Sequence, residues 1–365
     1  MMPPNRPYTR LIEAAPNQIA ESVAQLWHDW HDTATPRGQM LGAVVLLILI
    51  TLPTWGGPPL LTIMIAGLWL AYVGQTWNLL AGFTGLFSLG HALFTGIGAY
   101  LAAAFALRGG VGPVPGIILA IPVAALVGAM VGGLGCRAGF KSLHFTIVTL
   151  ILAEGAHLGA SHLNLTYLLR PGQDDAGSLT LPTPAIITDK PLVFYYTILA
   201  LTGLSLLVIR LLLRSRFGYH WLAVREDPRA AAAMGINLYQ TRVIASAVAA
   251  GLAAPAGAFL TLYLHHADPE QMLSLSASLA PILGTAIGGI GTLFGPVVGA
   301  FVVVTSDHGL AWLIGHSHHN LAALKPLAAG LALVLVAMIA PHGLWPALAR
   351  RLGLVKAPPT KPNGD

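Results

Sequence analysis

Long apolar runs, separated by short polar breaks, dominate this sequence. Residues 38–107 contain no Asp, Glu, Lys or Arg, and at about 20 residues per bilayer crossing this stretch is long enough for three transmembrane helices. The runs are continuously apolar rather than alternating, which favours helices over the strands of a membrane barrel. The pattern therefore predicts an all-α membrane protein.

Glycine, proline and charged residues divide the apolar sequence into ten predicted membrane spans. These are residues 40–54, 60–80, 85–107, 114–135, 142–163, 192–213, 243–264, 273–292, 296–314 and 321–340. The transmembrane domain is thus predicted over residues 39–345, between an N-terminal segment, 1–38, and a C-terminal tail, 346–365. The N-terminal segment lacks the apolar centre of a secretory signal, and its apolar residues recur at helical spacing. It is predicted as an amphipathic helix on the membrane surface, with a disordered arm as the alternative.

Composition and charge agree with a membrane location. The 365 residues are 55% hydrophobic and only 9% charged, against about 25% charged residues in soluble domains. If the polar loop 214–242 is cytoplasmic, fifteen of the nineteen Lys and Arg residues fall on that side, as the positive-inside rule requires. Both termini are then cytoplasmic. The topology explains the net charge of +5 without a nucleic-acid partner. A single cysteine excludes an internal disulfide and a Cys-based zinc site.

The loop 214–242 is predicted to contain two short helices. Asp227 is a suitable N-cap, Pro228 suits a first helical position, and Gly235 can end that helix in the left-handed conformation. Ser215 can cap an earlier helix over residues 217–225. Such a pair forms a rigid projection suited to a socket on a partner protein. The alternative is a structured connector that only follows the positive-inside rule.

Three segments of this loop resemble a known family. Ser215-Arg-Phe-Gly218, Arg225-Glu-Asp227 and Ala233-Met-Gly-Ile-Asn237 are similar to the coupling loop of membrane permeases in branched-chain amino-acid-type ATP-binding-cassette (ABC) importers, specifically the LivM-like branch. The resemblance extends over about residues 60–350. Further motifs match in the same order: Gly85-Leu-Phe-Ser-Leu-Gly-His91, Gly96-Ile-Gly-Ala-Tyr100, Phe145-Thr-Ile-Val-Thr-Leu150 with Glu154, Gly288-Gly-Ile-Gly-Thr292 with Gly295-Pro296, and Ala340-Pro-His-Gly-Leu344.

The resemblance implies the ten-helix type II importer fold and a heteromeric complex in the bacterial inner membrane. This chain would pair with a homologous second permease, rest on two cytoplasmic ATP-binding subunits, and receive solute from an extracytoplasmic binding protein. ATP and Mg are expected on the partner subunits, with no cofactor on this chain. The family carries branched-chain amino acids, urea, amides and aromatic acids. The implied ATPase-coupling residues are Phe217, Gly218, Arg225, Glu226, Asp227, Ala233 and Gly235.

Two positions depart from the family pattern. The outer loop after the fifth span reads Leu169-Arg-Pro-Gly-Gln-Asp-Asp-Ala-Gly177 instead of a Thr-Gly-Gly-x-Asp-Gly-like run, and His342 stands where Arg is usual. The first departure lies where the binding protein would dock. It leaves the identity of the solute open.

Enzymatic chemistry is weakly represented in the chain. It contains no Gly-x-x-x-x-Gly-Lys-Ser/Thr phosphate loop, so ATP hydrolysis is expected on separate subunits. Ser88 and His91 are placed on one predicted helix face, three residues apart, which raises the possibility of a membrane serine hydrolase. The serine is out of register for a Gly-x-Ser-x-Gly elbow, and no acid is placed to orient the histidine. The chain is therefore predicted not to be an enzyme.

Ionisable and polar residues inside the spans are the remaining functional candidates, because a charge in the bilayer must face protein or water. Glu154 lies near mid-membrane, and Asp307 lies at similar depth, where Lys325 is a possible partner. Such an acid also suits an ion-coupled secondary transporter, which is the alternative function. His316, His318 and His319 form a cluster without Cys, Asp or Glu in the same turn, so a solvated loop is preferred to a metal site. The candidate pathway-lining or packing residues are Ser88, His91, Thr146, Thr149, Glu154, His157 and Asp307.

Overall fold

The computed structural model describes residues 44–45, 47–54, 57–108, 112–137, 142–162, 179–180, 191–315, 330 and 343–352. Its helices are α1 (Pro58–Thr84), α2 (Ala92–Arg108), α3 (Val114–Arg137), α4 (Ser142–His162), α5 (Pro191–Leu213), α6 (Arg216–Glu226), α7 (Pro228–Ala233), α8 (Leu238–Leu264), α9 (Pro269–Leu273), α10 (Leu275–Gly288), α11 (Gly295–Gly315) and α12 (Leu344–Arg351), with a 3-10 helix at Leu52–Thr54. Two strands, β1 (Leu179–Thr180) and β2 (His266–Ala267), pair antiparallel.

The predicted helical architecture is confirmed in the described part of the chain. Four of its helices are long and apolar enough to cross a membrane: α1, α3 as far as Gly135, α5 and α8. They correspond to four of the predicted spans. The total of ten spans remains a prediction, because the span 321–340 and the N-terminal segment lie outside the described residues.

Helix α1 lies at the centre of the bundle and packs against α5, α8, α10 and α11. Its buried side chains supply hydrogen bonds as well as apolar surface. The indole Nε1 of Trp69 donates to the carbonyl oxygen of Ala256 (3.0 Å), and the hydroxyl of Tyr72 donates to that of Leu252 (2.7 Å). Both bonds join α1 to α8. A polar side chain inside an apolar bundle is stable only with such a partner.

Small residues allow the helices to approach closely. Glycines line the contact between α10 and α11: a Cβ atom at Gly299 would overlap the carbonyl oxygen of Gly284, and one at Gly288 would overlap that of Gly295. Association of transmembrane helices depends on such close packing because lipid gives little hydrophobic driving force. The two helices therefore form a tight hairpin.

In two predicted spans the helix is shorter than predicted. In the span 85–107 the helix begins only at Ala92, and residues 85–91 are not helical. In the span 273–292 the helix α10 has 14 residues, about 21 Å at 1.5 Å per residue, which is shorter than a bilayer core of about 30 Å. The span 273–292 is broken at Ser274, before α10. The backbone of Ser274 is extended, and its hydroxyl caps α10 by accepting from the amide of Ala277.

Candidate functional site

Residues 85–91, which we call the extended segment, connect α1 to α2 within the bundle. Gly85 ends α1 in the left-handed conformation, with φ of 71°, which an L side chain rarely adopts. A Cβ atom at Gly90 would overlap the carbonyl oxygen of Thr149 on α4. The segment therefore lies against α4, in a space that admits bare backbone at this point.

Side chains from three helices bind the backbone of the extended segment. On its α4 side, the Thr146 hydroxyl donates to the carbonyl oxygen of Phe87 (2.8 Å), and the amide of Leu89 donates to the Thr149 hydroxyl (3.3 Å). Helices α1 and α10 add two further bonds, from the Trp77 indole to the carbonyl oxygen of Ser88 (2.7 Å) and from the amide of Ala92 to the Ser278 hydroxyl (3.0 Å). Irregular backbone at membrane depth is tolerated where protein supplies its hydrogen bonds.

Ser88 and His91 do not share a helix face, because both lie in the extended segment. The ring Nε2 of His91 lies 2.9 Å from the hydroxyl of Thr76, which itself bonds the carbonyl oxygen of Val73 at 2.8 Å. Since that hydroxyl donates to the carbonyl, it accepts from an Nε2–H, and Nδ1 is left without a proton. Neither His91 Nδ1 nor Ser88 Oγ has a hydrogen-bond partner among the described residues. Ser88 and His91 are therefore not joined by the hydrogen bond through which a histidine activates a serine nucleophile.

A second set of contacts fixes the turn between α10 and α11, residues 289–294, to α1. The amide group of Asn78 donates from Nδ2 to the carbonyl oxygen of Thr292 and accepts at Oδ1 from the amide of Gly291, both at 2.8 Å. Asn78 is 1% exposed. The sequence interpretation missed this residue, although an asparagine within an apolar span is itself a signal of an interhelical hydrogen bond.

Replacing Asn78 with alanine should destabilise the bundle by about 1 to 3 kcal/mol, because two buried backbone groups lose their partner. Unfolding of the purified chain in mixed micelles measures the effect. Thr62→Ala is the matched control, since the Thr62 hydroxyl is exposed on the same helix and bonds only its own turn at Pro58. A loss no larger than that of the control would contradict the assigned role of Asn78.

The loop 214–242 folds into α6 and α7, with the predicted caps. The Ser215 hydroxyl accepts from the amide of Phe217 (3.2 Å), and the Asp227 carboxylate accepts from the amides of Arg229 (2.7 Å) and Ala230 (3.2 Å). Gly235 follows α7 with φ of 86°. The two short helices and their capping residues are therefore confirmed.

The predicted coupling residues divide between two faces of this helix pair. Gly218 and Arg225 face the bundle: a Cβ atom at Gly218 would overlap the carbonyl oxygen of Leu213, and Arg225 lies against Gly85. The outer face carries exposed residues, namely Phe217, Glu226, Asp227, Ala233 and Gly235. The sequence interpretation missed Trp221, which is fully buried beneath α6 and donates from Nε1 to the carbonyl oxygen of Thr241 on α8 (3.2 Å).

Glu154 and His157 are brought together on α4. His157 Nδ1 lies 3.3 Å from Glu154 Oε1, and its Nε2 lies 3.2 Å from Oε2 of Glu270 on α9. Sequence reasoning missed Glu270, because it belongs to a short polar connection far along the chain. This cluster joins α4 to the helix that precedes α10. Asp307 lies apart from it on the exposed surface of α11, while Lys325 and the histidines 316, 318 and 319 lie outside the described residues.

Comparisons with known proteins match most of the chain. The model of the family described as "Branched-chain amino acid transport system / permease component" matches residues 59–340. The permease protein LivM of the high-affinity branched-chain amino acid transport system of Escherichia coli is 27% identical over 321 residues, 80% of this chain and 72% of the relative. LivM of Salmonella typhimurium is 27% identical over 308 residues, 77% and 69% of the two chains.

A sugar permease matches a shorter part. XylH, the permease of the xylose transport system of Haemophilus influenzae, is 34% identical over 122 residues, 32% of each chain. No solved structure matches the chain. The family match covers both breaks in the helices and the loop that forms α6 and α7. The chain is therefore a multi-pass membrane protein that belongs to the permease-component family of branched-chain amino acid transport systems, with the LivM-like character that its motifs indicated.

Proposed function

We propose that this chain is the transmembrane permease subunit of an ATP-driven ABC importer. The observation that carries the proposal is the helix pair α6–α7, which is fixed to the bundle on one face and presents apolar side chains on the other. Phe217, Tyr219 and Met234 are 45%, 39% and 56% exposed. Exposed apolar groups of this kind on a rigid, capped unit are typical of a surface that binds another protein.

The partner that fits this surface is an ATPase subunit. The chain's sequence contains no phosphate-binding loop of its own, so import driven by ATP needs a bound protein that hydrolyses it. The complex then consists of this chain, a homologous second permease, two ATP-binding subunits carrying ATP and Mg, and an extracytoplasmic solute-binding protein. It resides in the bacterial inner membrane with both termini of this chain in the cytoplasm, an orientation that the distribution of Lys and Arg supports.

The solute class that we propose is a branched-chain amino acid, with urea or a small amide as related candidates. The LivM relatives match along most of this chain, whereas the xylose permease matches about a third of it. A permease that receives its solute from a binding protein needs few strong contacts of its own. This agrees with a bundle interior whose polar groups mostly bind its own backbone.

Uptake into proteoliposomes tests this function. The chain is co-expressed with candidate second-permease, ATPase and binding-protein subunits, and the complex is supplied with labelled leucine, urea or xylose. We expect leucine uptake that requires hydrolysable ATP and persists when ionophores collapse ion gradients. Uptake by this chain alone, driven by an ion gradient and insensitive to ATP, would instead establish the secondary transporter; uptake of xylose would overturn the solute class only.

A further inference from the structure

Arg225 is the one predicted coupling residue with a long side chain that points into the bundle instead of out to a partner. Its side chain is 31% exposed. The Cα, Cβ and Cγ atoms lie 3.6 to 3.8 Å from the place where a Cβ atom of Gly85 would stand. Its guanidinium Nη1 lies 2.6 Å from the corresponding place at Gly291. Arg225 thus lies between two glycines that are far apart in sequence.

Each glycine lies just beyond the C-terminal end of a membrane helix. Gly85 is the first residue of the extended segment, and Gly291, with φ of 77°, lies in the α10–α11 turn. The positive φ disfavours a side chain at both positions, and the guanidinium occupies the space beside Gly291. Helix α6 therefore contacts the end of α1 through Arg225 together with Trp221 and Leu222, and it reaches the α10–α11 turn through the guanidinium of Arg225.

The chemistry of the contact favours a cation. Gly85 caps the C-terminus of α1, and Gly291 follows the C-terminus of α10 by three residues. The carbonyl ends of helices carry partial negative charge, which attracts a guanidinium. Glu226, at 4.0 Å from Arg225 Nε, is exposed and draws the side chain only weakly outward. The guanidinium is therefore attracted to the carbonyl end of α10, while the backbone and aliphatic stem of Arg225 lie against the end of α1.

We propose that Arg225 is a positioning residue that transmits movement of α6 to the extended segment and to the α10–α11 turn. The inference rests on the proposed function, because the movement of α6 would come from the ATPase subunits. When they pull or rotate α6, Arg225 displaces Gly85 and Gly291 together. Asn78 binds the turn to α1, so the turn and the end of α1 at Gly85 are expected to move together.

Hydrogen exchange in the assembled complex tests this proposal without knowledge of the solute. Exchange is compared between the nucleotide-free complex and the complex trapped with ATP and vanadate. In the unaltered protein, we expect the exchange rates of α6, of residues 85–91 and of residues 289–294 all to change, by about tenfold or more. In Arg225→Ala, α6 should still respond, while the response of residues 289–294, which the guanidinium reaches, falls below about twofold. Residues 85–91 should keep part of their response, because the Cα and Cβ atoms beside Gly85 remain.

Two further variants make the result specific. Arg350→Ala removes an exposed arginine at the end of α12 and should respond like the unaltered protein. Arg225→Lys keeps the charge and most of the stem and should restore part of the response; it also replaces the alanine variant if that variant assembles poorly. A full response of residues 289–294 in Arg225→Ala would overturn the proposal. So would failure of both Arg225 variants to bind the ATPases, since Arg225 would then serve docking.

The outcome for the unaltered complex separates this inference from the function on which it rests. If α6 responds to nucleotide but residues 85–91 and 289–294 do not, transmission through Arg225 is wrong and the importer function stands. If α6 itself is unchanged and no ATPase subunit binds, the proposed function is wrong and the inference falls with it.

Discussion

Replacing Phe217 and Met234 together with glutamate should lower the affinity of the ATPase subunits for this chain by about 100-fold or more. The two side chains are among the most exposed apolar groups on α6 and the residue that follows α7. Truncating a central interface residue commonly costs about 2 kcal/mol or more, and each 1.4 kcal/mol is a factor of ten in affinity. Adding a charge to the apolar centre increases that cost.

Co-purification of the ATPase subunits and ATP-dependent uptake measure this effect. Phe217→Leu with Met234→Leu is the matched pair that keeps an apolar surface, and it should retain affinity within about threefold. Leu348→Glu places the same charge on an exposed position of α12 and should not weaken the complex. Normal binding by the glutamate pair would mean that the ATPases use another surface of this chain.

The structure of the α6–α7 pair could be predicted because its determinants are local. Ser215 and Asp227 each bind amides two or three residues later in the chain, so a short stretch of sequence contains the complete capping interaction. The direction of Arg225 could not be predicted in the same way. It depends on Gly85 and Gly291, which reach the same place only after the whole bundle has folded.

The breaks at residues 85–91 and before α10 were missed for a related reason. An apolar run predicts that a segment is buried, but the extended segment is equally apolar and its backbone is satisfied by distant side chains. Thr146 binds Phe87 across 59 positions of sequence, and Ser278 binds Ala92 across 186. Continuous apolar runs therefore identify these residues as buried, but they predict a helix where the backbone is extended.

The candidate residues were likewise predicted in part and missed in part. Thr146, Thr149, Ser88 and His91 were noticed as polar groups in apolar spans, and the structure brings all four to the extended segment. Glu154 and His157 were both candidates and lie together on α4, but their third partner, Glu270, was not foreseen. Asn78 was missed because the candidates inside the spans were chosen mainly for titratable groups, and an amide does not titrate. Its hydrogen bonds nevertheless fix the α10–α11 turn to α1.

The crossing of α2 with α8 should tolerate substitution as poorly as the contact between α10 and α11 does. A Cβ atom at Gly257 would overlap the carbonyl oxygen of Thr95, and one at Gly98 would overlap that of Ala254. The obstructing atoms are backbone, which cannot move aside as a flexible side chain does. The two helices therefore have to separate to admit any larger residue.

Gly257→Leu is accordingly expected to destabilise the folded chain by about 3 kcal/mol or more, at the upper end of the usual cost of overpacking. Its midpoint of unfolding in mixed micelles and its yield of monodisperse protein should both fall. Gly203→Leu on α5 is the matched control, because no described atom lies within 4 Å of a Cβ at Gly203. Leucine there adds an apolar group to an exposed face and gains helix propensity, so it should leave stability unchanged or slightly raised. Equal stability of the two variants would contradict the close crossing, since only at Gly257 does the added side chain meet backbone on a neighbouring helix.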